Sequence, residues 1–120
     1  YMYEYSYAMT NRNFNVMCDG LACHGDELPF VFATINDYSF VHFTPTTEQS
    51  DFSFRINTAW SNFIKTGNPN SEDDDDSDSS FLPFTGDEVL LNLNENQFNR
   101  TTYSRANTCS FWINSGLYPQ

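Results

Sequence analysis

Basic residues are scarce in this 120-residue chain, which has 5 lysines and arginines against 16 aspartates and glutamates and a net charge of −11. Proteins hold nucleic-acid backbones through clustered basic side chains, so we expect no nucleic-acid partner. Long apolar runs are also lacking. The longest, residues 30–33 and 89–91, fall far short of the ~20 residues that a membrane-spanning helix needs. The sequence therefore predicts no transmembrane segment.

The chain is nevertheless too apolar to be disordered, since 39% of its residues are hydrophobic and 18% are aromatic. Much of the negative charge lies in one serine-flanked run, which predicts a solvated acidic surface loop at about residues 70–80. A calcium-binding EF-hand loop needs glycine at its sixth position and glutamate at its twelfth. Counted from Asp74, those positions hold Ser79 and Thr85, so the run does not predict a calcium site.

Local patterns predict a mixture of strands and helices. Alternating tyrosines favour a strand over Tyr1–Ala8, and an apolar stripe at spacings of three and four favours a helix over Thr47–Thr66. We expect Thr47 to cap this helix and Gly67 to end it. The residues expected on its buried face are Phe52, Ile56, Trp60 and Phe63.

Other segments carry weaker signals. Val89–Leu93 is typical of a strand, and a fainter helical pattern runs from about Arg100 to Asn114. Leu28–Ala33 is too short to decide between helix and strand. Because the chain begins inside a strand-like pattern without an initiator methionine or a signal peptide, we expect it to be a fragment.

Two histidines could carry chemistry. His42 lies between apolar residues and is expected to be structural. His24 is followed by Gly25, Asp26 and Glu27, and flanking glycines place it on a loop. On this local pattern alone, a structural loop histidine is the default interpretation.

A metal site or a cysteine nucleophile beside His24 is less favoured. Cys18, Cys23 and His24 lack the spacing of common zinc sites, and a fourth ligand has no obvious source. A cysteine–histidine pair would require two neighbours in sequence to point at each other. We therefore predict no bound metal or cofactor.

Three segments in order, residues 23–32, 59–70 and 109–112, resemble the C-terminal part of type-B carboxylesterases, the cholinesterase-like α/β-hydrolases. The resemblance extends over nearly the whole chain, from Tyr1 to Trp112. It implies an α/β fold in which residues 1–120 form the C-terminal part of a single α/β-hydrolase domain. It also implies the hydrolysis of small carboxylic esters by a Ser–His–Glu/Asp triad.

The resemblance places the triad histidine on His24. In α/β-hydrolases the nucleophile and the acid precede the histidine, so both are expected upstream of this chain. The chain holds no Gly-x-Ser-x-Gly motif, and we expect the 120 residues alone to be inactive. His24 would take a proton from the serine and return it to the leaving alcohol. We expect Glu27 to support the loop and Asp26 to be exposed.

The cysteines indicate an oxidising compartment. Cys109 resembles a family cysteine that is bonded to one upstream, and Cys18 and Cys23 could close a short loop between themselves. Asn99 begins a glycosylation sequon. Together these features predict a disulfide-bonded, glycosylated protein of the secretory pathway or the extracellular space.

Two interpretations compete with the enzyme. One is a catalytically silent esterase-like protein that serves adhesion, binding or storage and keeps the fold. The other is an independent acidic interaction module, which the strand-like start of the chain disfavours. The presence of His24 favours the enzyme.

Overall fold

A computed structural model describes the chain in seven segments, residues 1–9, 18–37, 44–71, 79–84, 89–94, 98–102 and 106–117. Within them, β1 (Tyr3–Tyr5), β2 (Val89–Leu93) and β3 (Phe98–Thr102) form a sheet in the order β1–β2–β3. β1 runs parallel to β2, with Tyr3 opposite Leu91. β2 runs antiparallel to β3. The strand predicted over Val89–Leu93 is thus confirmed.

Helices lie between and after the strands. They are α1 (Leu28–Val31), α2 (Thr47–Thr66) and α3 (Ala106–Asn114), with a 3₁₀ turn at Ile35–Asp37. The parallel pairing of β1 with β2 joins strands that are separated in sequence by α1 and α2. Such a crossover through helices is the connection that α/β folds use.

α2 has the bounds that its sequence predicts. Gly67 follows it with a φ of 78°, the left-handed conformation that glycine adopts without strain, and its N–H donates to the carbonyl of Phe63 over 2.8 Å. The expected cap is wrong by one residue. Thr46, not Thr47, has the extended backbone of a capping residue.

The cap of α2 is reciprocal. The Gln49 N–H donates to Thr46 Oγ1 over 3.2 Å, and the Thr46 N–H donates to Gln49 Oε1 over 2.9 Å. This capping box satisfies two backbone donors at the start of the helix.

The core lies where α2 packs on the sheet and on α1. Phe52 and Ile56 are fully buried, as predicted, and Trp60 is half-buried. The prediction for Phe63 is wrong, because its side chain is 51% exposed. Phe63 lies in the last turn of α2, where its ring meets that of Tyr1 at the chain terminus, with centroids 6.1 Å apart.

Two other boundaries differ from the sequence prediction, and the structure decides one segment that the sequence left open. The first strand is limited to Tyr3–Tyr5. Leu28–Val31 is helical, with Pro29 in the first turn where its missing N–H costs nothing. The C-terminal helix begins at Ala106 rather than near Arg100, which belongs to β3.

The placement of Arg100 has a tertiary cause. Its Nη2 donates to Ser80 Oγ over 2.7 Å and its Nε to the Ser80 carbonyl over 3.3 Å. These contacts favour a strand at Arg100 that pairs with β2, rather than the helix that the weak periodicity predicts. The acidic residues 72–78 and His42 lie outside the described residues.

No helix in the described segments is both long enough and apolar enough to cross a membrane.

We expect Thr46→Ala to lower the free energy of unfolding by about 1 kcal/mol, because it removes the oxygen that accepts the Gln49 N–H. Urea denaturation of the full-length protein measures this change. Thr47→Ala is the matched control and should change the free energy by no more than a few tenths of a kcal/mol. An equal loss in both variants would contradict the cap at Thr46.

Candidate active site around His24

His24 lies in a tight turn between Cys23 and Asp26. The Asp26 N–H donates to the Cys23 carbonyl over 3.2 Å, which closes the turn around His24 and Gly25. Gly25 has a φ of 86°, the value that the third residue of a type II turn requires. The imidazole of His24 is exposed at the outside of this turn.

A disulfide holds the N-terminal side of the turn. Cys18 and Cys23 are bonded, with their Cα atoms 6.0 Å apart, which confirms the predicted pairing. The enclosed loop is ordered further by a hydrogen bond of 3.0 Å from the Leu21 N–H to the Cys18 carbonyl. Because Cys23 directly precedes His24, the disulfide restricts where the turn can begin.

Asp26 is buried, and the expectation that it would be exposed is wrong. Its Oδ2 accepts a hydrogen bond of 2.7 Å from the Cys23 N–H. That backbone donor needs a partner, and a short carboxylate three residues further along can reach back to it. This spacing of an aspartate after a glycine-containing turn is the sequence signal that could have revealed the contact.

Tyr5 joins the turn to the sheet. Its hydroxyl donates to the backbone carbonyl of Asp26 over 3.4 Å. The Tyr5 ring lies 6.2 Å from that of Phe30 and 6.1 Å from that of Phe52, measured between centroids. The turn that carries His24 therefore contacts both β1 and the aromatic core.

α2 binds α1, the helix that follows the His24 turn in sequence. Ser53 Oγ donates to the Phe30 carbonyl over 3.0 Å, and Asn57 Nδ2 donates to the Val31 carbonyl over 2.8 Å. These two polar residues on α2 donate to carbonyls in the last turn of α1, where the regular helical bonds end. The sequence analysis did not identify them, since contacts over more than twenty residues leave no local pattern.

Glu27 lies at the start of α1 and makes no side-chain hydrogen bond to the helix terminus. Burial raises the pKa of the Tyr3 phenol, and the negative charge of Glu27 raises it further. The Glu27 carboxylate is thus close enough to β1 to act on Tyr3 electrostatically. Its expected role in supporting the loop stays a prediction.

The other candidate residues lie on other elements of the fold. Cys109 is exposed on α3, and Asn99 is exposed on β3. No group of three or more His, Cys, Asp and Glu side chains in the described segments is arranged to hold a metal ion. Chemically, the turn presents one imidazole, a group that can accept and donate a proton near neutral pH.

Comparison with known proteins assigns the chain to a family. Residues 1–112 match the sequence model of the carboxylesterase family. The chain belongs to the carboxylesterase family. Membership implies an α/β-hydrolase fold, and the mixed three-stranded sheet with its helices is compatible with part of one.

Two relatives illustrate the match of this carboxylesterase-family chain. The "Crystal protein" of Dictyostelium discoideum is 36% identical over 69 residues, which are 58% of this chain and 12% of that protein. The "Cocaine esterase" of Homo sapiens is 45% identical over 51 residues, 42% of this chain and 9% of that enzyme. The matched segments therefore span about a tenth of each relative's length.

Peptide mapping of the non-reduced protein should yield a linked pair of peptides that contain Cys18 and Cys23. The same digest should join Cys109 to a peptide from outside residues 1–120, as the family resemblance implies. Alkylation before and after reduction provides the control. Recovery of Cys18 and Cys23 as alkylated thiols without reduction would contradict the pairing.

Proposed function

We propose that this chain is the C-terminal part of a carboxylic-ester hydrolase in which His24 is the general base of a Ser–His–Glu/Asp triad. One observation carries the proposal. In a carboxylesterase-family chain, the histidine singled out by its motif is exposed on a turn that is fixed from both sides. A base that must meet a serine from another segment needs both an accessible ring and a fixed position.

The proposed chemistry uses His24 twice. In acylation, the neutral imidazole accepts the proton of the serine hydroxyl as its oxygen attacks the ester carbonyl. The resulting imidazolium then gives that proton to the departing alcohol. In deacylation, the imidazole takes a proton from water and returns it to the serine. An upstream carboxylate would orient the ring and stabilise the imidazolium.

The surface of the chain supports its being part of a larger domain. α3 exposes several large apolar side chains, and the outward side of α2 exposes others. Apolar surface on this scale is usually covered by other protein. The residues of these two helices with at least half of their surface exposed are Phe54, Phe63, Ile64, Phe111 and Ile113.

Passage through the secretory pathway is part of the proposal. The Cys18–Cys23 disulfide is compatible with an oxidising compartment. The exposed side chain of Asn99 leaves room for a glycan at the sequon, and the exposed position of Cys109 leaves it accessible to a cysteine from an upstream segment. Small carboxylic esters are the proposed substrates, a class to which the name of the human cocaine esterase also points.

A catalytically silent esterase-like protein is the second candidate. It is favoured by the match to a protein that is named as a crystal protein rather than as an enzyme. The two candidates share the fold and differ in whether the triad is complete. Because this chain has His24 in the family motif, the enzyme is the stronger proposal.

Substitution of His24 tests the choice. In the full-length protein, His24→Ala should lower kcat by at least ~10³-fold, because the serine loses its proton acceptor while the fold stays intact. Wild-type kcat/KM should also fall as the pH becomes acidic, because protonated imidazole cannot accept the serine proton. Steady-state hydrolysis of a chromogenic acetate ester measures both effects.

The matched control is His42→Ala, which should leave turnover per folded molecule nearly unchanged. Circular dichroism of each variant separates loss of fold from loss of chemistry. Retention of more than a tenth of the wild-type kcat by His24→Ala would refute the general-base role and favour the silent candidate.

Isolated residues 1–120 should neither hydrolyse the ester nor melt cooperatively, because the proposed nucleophile and the strands and helices that cover the apolar surface lie elsewhere. Expression of this segment, followed by an esterase assay and thermal denaturation, provides the measurement. Serine-type turnover by a cooperatively melting monomer would contradict the expectation.

A further inference from the structure

We infer that Asp26 is a positioning residue for the ester-hydrolysing histidine, and that it acts through hydrogen-bond geometry rather than through its charge. The inference rests on the proposed role of His24. The sequence analysis expected Asp26 to be exposed, whereas the structure shows that it is buried.

Asp26 closes the turn with two hydrogen bonds to one residue. Its N–H donates to the Cys23 carbonyl over 3.2 Å, and its Oδ2 accepts from the Cys23 N–H over 2.7 Å. The two bonds tie the peptide groups on either side of His24 and Gly25 to each other. The side-chain bond is the shorter of the two.

The disulfide cannot replace this contact. It holds the side chain of Cys23, whereas the path of the backbone through His24 depends on the dihedral angles between Cys23 and Asp26. Gly25, with its φ of 86°, is the most permissive residue in that path. Without the carboxylate, the Cys23 N–H would lose this acceptor, and the longer backbone bond would close the turn less tightly.

Asp26 also connects the turn to the rigid part of the fold. Its backbone carbonyl accepts from the hydroxyl of Tyr5, whose ring packs among those of the aromatic core. Because Asp26 is only 9% exposed, water competes little for its contacts. A shift of this residue would therefore move His24 relative to β1.

A shift of that kind affects catalysis more than binding. A general base must lie about 3 Å from the proton that it removes, and a displacement of about 1 Å can cost ~10²-fold in rate. The ester itself is held by groups elsewhere in the proposed enzyme. Loss of positioning should thus appear in kcat with KM nearly unchanged.

Two conservative substitutions separate geometry from charge. In the full-length protein, Asp26→Asn keeps an oxygen acceptor at the same reach and removes the charge, whereas Asp26→Glu keeps the charge and lengthens the side chain by one methylene. We expect Asp26→Asn to retain kcat within about 3-fold and Asp26→Glu to lose about 10- to 100-fold, with KM within about 3-fold in both. Asp37→Ala, which removes an exposed carboxylate on the 3₁₀ turn, is the matched control and should behave as wild type.

Two further measurements distinguish positioning from folding. Hydrogen exchange of the Cys23 amide should be faster in Asp26→Glu and near wild type in Asp26→Asn, with melting temperatures reported for each. The acidic limb of the pH profile of kcat/KM, where activity decreases, should lie at the same pH in both variants as in wild type. A charge effect on His24 would instead move this limb in Asp26→Asn.

The outcomes are separable. Equal losses in both variants, a shifted acidic limb in Asp26→Asn, or a loss that only follows the unfolded fraction would overturn the inference while leaving His24 as the base. If the wild type hydrolyses the ester and Asp26→Glu has the same kcat, the inference is overturned as well. If wild type hydrolyses no ester, the proposed function fails, and the inference about the reaction fails with it.

Discussion

The packing of Phe52 is the interaction on which the rest of this structure depends. Its fully buried ring lies 5.2 Å from the ring of Phe30, 5.4 Å from that of Tyr7 and 5.9 Å from that of Phe98, measured between centroids. One side chain of α2 thereby contacts α1, the segment after β1, and β3. Rings at these separations contribute beyond the area that they bury, because edge-to-face arrangements are electrostatically favourable.

Polar contacts fix the relative arrangement of the elements that pack around Phe52. Gln49 is almost fully buried, and its Nε2 donates to the Tyr7 hydroxyl over 2.7 Å while its Oε1 caps α2. Ser53, one turn further along α2, binds the Phe30 carbonyl. Aromatic packing alone tolerates sliding of one element over another, whereas these bonds allow only one arrangement. They fix α1, and with it the segment that leads back to His24.

The proposed active-site turn combines rigidity with access. It is attached through the Cys18–Cys23 disulfide, through Asp26 and Tyr5 to β1, and through α1 to α2, yet the His24 ring is exposed. A catalytic base benefits from this combination, since its position is determined by the fold before any substrate arrives. The rest of the proposed triad would then come from segments that meet this exposed side.

Local interactions explain what the sequence by itself determined. The bounds of α2 follow from a helical apolar stripe and Gly67, and β2 follows from a short apolar run. The family follows from motifs that are contiguous in sequence. Only the tertiary structure decided that Asp26 is buried, that Phe63 is exposed and that Arg100 lies in a strand. Each of these depends on partners that the chain brings together from a distance or around a turn, such as Tyr5 for Asp26 and Ser80 for Arg100. Periodicity and propensity describe a residue's near neighbours, so they cannot determine which distant side chain will satisfy its hydrogen bonds or cover its surface.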